Sequence, residues 1–199
     1  MTNPGGQSGK LVNGFLADFV DVPASNPYHN DIEKLFRDGV SAGCAAGSFC
    51  PSALVTRAQM AVFLLKGEHG SAYLPPACRG IFTDVPCPSG FAVNWIEQLA
   101  TEGVTAGCGG GNYCPNTSVT RAQIAVFLLK AKNGPSYSPP SCKVTFVDVP
   151  CPGGFAVGWI DEFYNEGITS GCGGGNYCPN TATPRGQMAT LLAKTFNLP

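Results

Sequence analysis

The chain has 199 residues, with 12 Lys plus Arg against 13 Asp plus Glu and a formal net charge of −1. That balance excludes recruitment by nucleic acid or an anionic membrane, since both need a clustered excess of Lys and Arg. Charged residues make up 13%, against about 25% in ordinary globular domains, and no apolar run reaches the roughly 18 residues of a membrane span.

Residues 1–14 are polar and Gly-rich and read as a flexible linker with no signal-peptide pattern. An F-x-D-V-P segment follows, with Phe19, Asp21, Val22 and Pro23. It comes back at Phe82, Asp84, Val85 and Pro86, and again at Phe146, Asp148, Val149 and Pro150. Each opening leads into an expected helix. The clearest runs from Phe91 to Glu102, with Phe91, Trp95, Ile96 and Leu99 at helical spacing on one apolar stripe. That stripe makes Trp95 and Trp159 core residues. Gly103 ends the helix as a C′ glycine would, and Gly39 and Gly167 recur in register.

A glycine loop bounded by cysteines comes next, followed by a second helix. Thr56 with Gln59 and Thr120 with Gln123 have the capping-box spacing, whereas Thr183–Pro184 puts a proline at the expected first helical position. The runs MAVFLL at 60–65 and IAVFLL at 124–129 are apolar on every side, so these helices must be buried all round. Three of them would bury one another in a central bundle, with Phe63, Phe127 and Leu191 in one layer.

The period is 64 residues, shown by Cys44, Cys108 and Cys172 and by Arg57, Arg121 and Arg185. GCGGGNYCPNT occurs twice unchanged, at 107–117 and 171–181. The chain therefore divides into copies at 15–67, 79–131 and 143–199, joined by Gly/Pro/Ser-rich linkers at 68–78 and 132–142. One copy is too small to bury its apolar helix, so three should fold together.

Ten cysteines recur as C-x5-C and C-x8-C, which favours five local bridges: Cys44–Cys50, Cys78–Cys87, Cys108–Cys114, Cys142–Cys151 and Cys172–Cys178. Structural zinc sites prefer shorter spacings and recruit His, and only His29 and His69 are present, at positions that do not recur. No metal or cofactor is expected. Disulfides place the chain in an oxidising compartment, the periplasm or the cell exterior.

The F-x-D-V opening, the aromatic-Ala segment before Ile, Leu-x-x-x-Gly, Gly-x-F/Y-x-Pro and T-R-A-Q resemble the S-layer homology repeat. The resemblance implies an all-α fold: three helix–loop–helix repeats in a pseudo-threefold arrangement around a central three-helix bundle. It also implies non-covalent anchoring at a prokaryotic cell surface, through cell-wall glycan bound in grooves between repeats. The polymer is often pyruvylated. The chain departs from the family pattern where Gln59, Gln123 and Gln187 replace a Glu. It departs again where Phe91, Phe155 and Pro27 (with Tyr28 beside it) stand in place of a Trp.

Residue chemistry points the same way. Arg57, Arg121 and Arg185 fall in the first turn of a helix, where an exposed guanidinium and free N–H groups would share a carboxylate or phosphate. Asp21, Asp84 and Asp148 could accept bonds from sugar hydroxyls, and Phe91, Phe155, Tyr113 and Tyr177 offer faces for a pyranose ring. The plainer roles are that each Asp caps a turn and each Arg pairs with an Asp between copies. Asn116–Thr117–Ser118 is a formal glycosylation sequon.

GCGGGN lacks the lysine and the spacing of a phosphate-binding nucleotide loop. No nucleophile stands beside a base, and Glu97, Glu102, Asp161 and Glu166 read as a solvated helix face, so no enzyme is expected. The alternative to anchoring is a structural or interaction subunit of an extracellular assembly, since low charge favours self-association.

Overall fold

The computed structural model describes residues 19–199, so the expected linker at 1–14 lies outside the described residues. It contains six helices: α1 (His29–Arg37), α2 (Arg57–His69), α3 (Val93–Thr101), α4 (Arg121–Asn133), α5 (Val157–Asn165) and α6 (Arg185–Thr195). Among the described residues there are no strands, only isolated bridges between loops, and no helix is long and apolar enough to cross a membrane.

The helix ends follow from local chemistry. Thr56 and Gln59 form a complete capping box, and Thr120 and Gln123 form another. At α6 the expected start shifts by one residue: Pro184 occupies the N-cap position, and no side chain caps the helix. The first helices stop in Schellman motifs. After α3, Gly103 N–H donates to Ala100 and Val104 N–H to Leu99, with Gly103 at φ +73°. The expected start of α3 at Phe91 is two residues early, because Ala92 takes a left-handed φ of +59° and turns the chain. Phe91 is thereby removed from the apolar stripe and left 69% exposed. Trp95 and Trp159 stay on the stripe, partly buried against the core.

Each second helix is buried over most of its surface, as its composition requires, and the stripe through Gln59, Val62 and Lys66, with its counterparts in α4 and α6, is less covered. Met60, Leu64, Leu65, Ile124, Leu128, Leu129, Met188 and Leu192 are at most 1% exposed. α2, α4 and α6 pack pairwise on one another. The first helices pack across copies: α3 lies on α2, α5 on α4, and α1 on α6, which joins the two ends of the chain. Phe63 and Phe127, two of the three residues expected in one layer, have their rings 5.5 and 5.4 Å from the guanidinium carbons of Arg185 and Arg57, in other copies.

Backbone hydrogen bonds close the same cycle ahead of the second helices. Val55 N–H donates to Thr183, Thr183 to Val119 and Val119 to Val55, at 2.9–3.0 Å. An open stack of repeats exposes an apolar face at each end unless capped; here α1 and α6 cover each other.

All five bridges form as the spacing indicates, and no cysteine is free. The shorter bridges clamp loops whose last cysteine has positive φ, +57° to +60°, at Cys50, Cys114 and Cys178. Gly107, at φ +87°, is required where its loop passes the Phe82 ring: an added Cβ would sit 2.9 Å from that ring.

Candidate functional site

The three arginines come together with the copy that follows each in the cycle. Arg57 Nε donates to the Tyr113 carbonyl at 2.8 Å, and its guanidinium carbon stands 4.7 Å above the Tyr113 ring. The Tyr113 hydroxyl returns a bond to the Arg57 carbonyl at 2.7 Å. Arg121 repeats this arrangement with Tyr177, and Arg185 stacks on Phe49, which has no hydroxyl to return. A charged donor and a cation–π contact thus tie each seam, and a phenol adds to them at the Arg57 and Arg121 seams.

These facts change the expected exposure. Arg57, Arg121 and Arg185 are only 4–7% exposed. Burial pushes the Arg57 guanidinium below its ordinary pKa, against the opposing pull of Tyr113 and Asp84. Arg185 is lowered by the same cause, opposed by Asp21. Burial also raises the Tyr113 and Tyr177 phenols well above their usual range, so both remain protonated donors.

The helix amides expected to share an anion are already occupied. Arg57 and Ala58 N–H donate to Thr117 and Pro115, Arg121 and Ala122 to Thr181 and Pro179, and Arg185 and Gly186 to Ala53 and Pro51. Tyr113 and Tyr177 are 1% exposed, so neither ring presents a face to a sugar. Each aspartate holds a cysteine loop instead of capping its own turn. Asp84 accepts from the N–H groups of Tyr113 and Cys114 at 2.7 Å, Asp148 does the same for Tyr177 and Cys178, and Asp21 for Phe49 and Cys50. No Arg–Asp pair lies within salt-bridge distance among the described residues.

Glu97 and Asp161, expected on a solvated face, are 4% and 3% exposed. Glu97 accepts from Arg79, Gly80 and Ile81 N–H, and Asp161 from Lys143 and Thr145 N–H. Backbone donors just ahead of each F-x-D-V-P opening drew them inward, and sequence periodicity carries no trace of such donors.

Beside two of the arginines open matching clefts. One, of about 270 Å³, is lined by Arg57, Thr105, Gln123, Phe127, Lys130 and Phe155. The other, of about 200 Å³, is lined by Arg121, Thr169, Gln187, Leu191, Lys194 and Tyr28. The first five residues of each set stand 64 apart in sequence. The lysines, threonines and glutamines were not anticipated as lining residues. Lys66, Lys130 and Lys194 nevertheless recur with the same period, and that signal could have found them.

Within this common plan the arginines differ. Arg121 directs Nη1 to Gln187 and Nη2 to Thr169, and Arg185 directs Nη2 to Ser41. Arg57 Nη2 is buried without a hydrogen-bond partner among the described residues. Phe155, at the rim of the Arg57 cleft, is 68% exposed. This cleft brings a guanidinium charge, a lysine, a side-chain amide and an open aromatic face together, which suits an oxyanion carried on a ring.

The family model of the S-layer homology domain matches residues 18–61 and 82–125. The chain is 27% identical over 190 residues to the cell surface protein of Thermoanaerobacter kivui, covering 94% of this chain and 22% of that protein. It is 26% identical over 180 residues to an endoglucanase of Bacillus sp. (strain KSM-635), covering 88% and 18%. With S-layer protein EA1 of Bacillus anthracis it shares 27% identity over 181 residues, covering 89% and 20%. The chain thus spans about a fifth of the length of these relatives, two of them surface or S-layer proteins, and two of its segments match the S-layer homology domain.

Proposed function

We propose that the chain is a non-catalytic anchoring module that binds an anionic cell-wall glycan in the clefts between its copies. S-layer homology domains anchor surface proteins to the cell wall, and surface-protein relatives together with five disulfides point to an extracellular, cell-surface protein. We read 15–67, 79–131 and 143–199 as three such repeats in pseudo-threefold order about α2, α4 and α6. The cyclic hydrogen bonds among Val55, Thr183 and Val119 support that order.

One observation carries the reading: the cleft that sets Arg57, Gln123 and Lys130 beside the exposed ring of Phe155. The ammonium and the side-chain amide can hold a carboxylate or phosphate by charge-assisted hydrogen bonds. A pyruvylated or phosphorylated sugar fits, with Phe155 stacked on its ring. Phe91, one period before Phe155, is exposed too and would serve the Arg185 seam in the same way.

The test is a pull-down with purified wall sacculi before and after chemical removal of their anionic polysaccharide. Binding should be lost on stripped walls. A Lys130→Ala/Phe155→Ala double variant should bind about tenfold more weakly, with little change in melting temperature because Phe155 is exposed. Undiminished binding to stripped walls would overturn the proposal. Exposure of Val144, Val147, Phe155 and Tyr164, at 45–85%, favours the assembly reading instead. Sedimentation as an oligomer without glycan would establish that alternative.

A further inference from the structure

The seam between α2 and α3 carries a side-chain cluster that the anchoring function does not use. α2 ends in Glu68 and His69, and Glu102 follows α3. One ligand atom from each of the three lies within 4.8 Å of the other two. His69 Nε2 is 3.0 and 3.2 Å from the two Glu102 carboxylate oxygens. Supporting groups orient the set: Gln98 Nε2 donates to Glu102 at 2.7 Å, and the Tyr73 ring lies 4.4 Å from the His69 ring.

The next seam, between α4 and α5, shows what this position ordinarily holds. Its residues 64 further on are Lys132, Asn133 and Glu166. Lys132 Nζ sits 2.6 Å from Glu166 Oε2, so an ammonium ties α4 to the end of α5. In the first seam Glu68 replaces that lysine, so two carboxylates and an imidazole meet there. The first seam therefore lacks the ammonium that the second one contains.

We propose that a first-row divalent cation, zinc being the representative, binds at Glu68, His69 and Glu102 in the place of the Lys132 ammonium. One imidazole nitrogen and two carboxylate oxygens suit zinc, with water in the fourth position, better than they suit magnesium or calcium. Adjacent ligand atoms in a tetrahedral zinc site stand about 3.4 Å apart, close to the His69–Glu102 separation. Glu68 and His69 are exposed, so the ion has direct access and Glu68 is free to rotate onto it. All ten cysteines are in bridges, which leaves no competing thiolate. The bound ion would pin the first copy's α2 to the second copy's α3, independently of any glycan.

Thermal unfolding and titration calorimetry of the disulfide-intact chain with zinc, after treatment with chelator, test this. One ion should bind per chain, and the melting temperature should rise by about 5–10 °C at a zinc concentration about a hundredfold above Kd. His69→Ala should abolish the rise. Glu68→Lys, which installs the second seam's ammonium, should abolish it while leaving the metal-free fold intact. His29→Ala, at the chain's other histidine, should keep it. Absence of one-to-one binding, or a rise that survives in either His69→Ala or Glu68→Lys, would overturn the proposal.

Discussion

Truncating Arg121 tests whether the seam arginines hold the fold or only face a ligand. Arg121→Ala removes the Nε donor from the Tyr177 carbonyl, a bond of 2.7 Å to a charged group, worth about 1.5–3 kcal/mol. It also removes the stacking of the guanidinium on the Tyr177 ring, 4.7 Å away, worth about 2 kcal/mol when desolvated. Relief of the arginine's own desolvation offsets part of this, and a net loss of about 3 kcal/mol is expected. For a chain of this size that lowers the melting temperature by about 6–12 °C. Arg121→Lys keeps the charge but lacks the planar fork, and should fall between the two. Circular dichroism melts with the disulfides intact give the first quantity, and wall binding well below both transitions gives the second. Arg57→Ala should lower binding more than Arg121→Ala, since the Arg57 cleft is the larger of the two and has the exposed Phe155 ring at its rim. A shift under about 2 °C for Arg121→Ala would refute the assignment of the arginines to the seams.

Two further outcomes follow from the fold. Asp84→Ala strips the carboxylate from the Tyr113 and Cys114 amides, one of which precedes a left-handed turn. It should cost about 3 kcal/mol, read as a lower melting temperature, with Asp84→Asn milder because one acceptor remains. A chain ending at residue 134 deprives α1 of α6 and α4 of α5. It should show no cooperative melt, and a sharp two-state transition in that fragment would refute the need for cyclic closure.

Much of this was legible in the sequence, for identifiable reasons. All-apolar runs demanded buried second helices, Thr–x–x–Gln marked the starts of α2 and α4, and C-x5-C and C-x8-C spacing fixed the bridges. What failed were statements about which group meets which. The arginines looked exposed because first-turn residues usually are, but that first turn docks on the next copy's cysteine loop. Tyr113 and Tyr177 looked available because aromatic residues in glycine loops often are, yet each lies beneath a guanidinium from another copy. Periodicity reports the face of one element and carries nothing about partners some 56 residues away, the separation between Arg57 and Tyr113.

The exchange of partners between copies also shapes the candidate site. In a chain of independent repeats, a cleft between neighbours would widen and close as they moved. Here each cleft wall comes from a copy that is joined to the next by an arginine, a loop–helix bond pair and a first helix laid across the seam. The Arg57 guanidinium is held in place by the Tyr113 carbonyl on one edge and the Tyr113 ring beneath it, before any ligand arrives. Freezing a long side chain on binding costs about 0.5–1.5 kcal/mol, and that cost has already been met in folding. The guanidinium charge is therefore fixed beside the cleft in advance. A shallow cleft with one such charge and one lysine would hold an anion only weakly. A module joined to one wall polymer through several seams gains by effective concentration what any single cleft lacks.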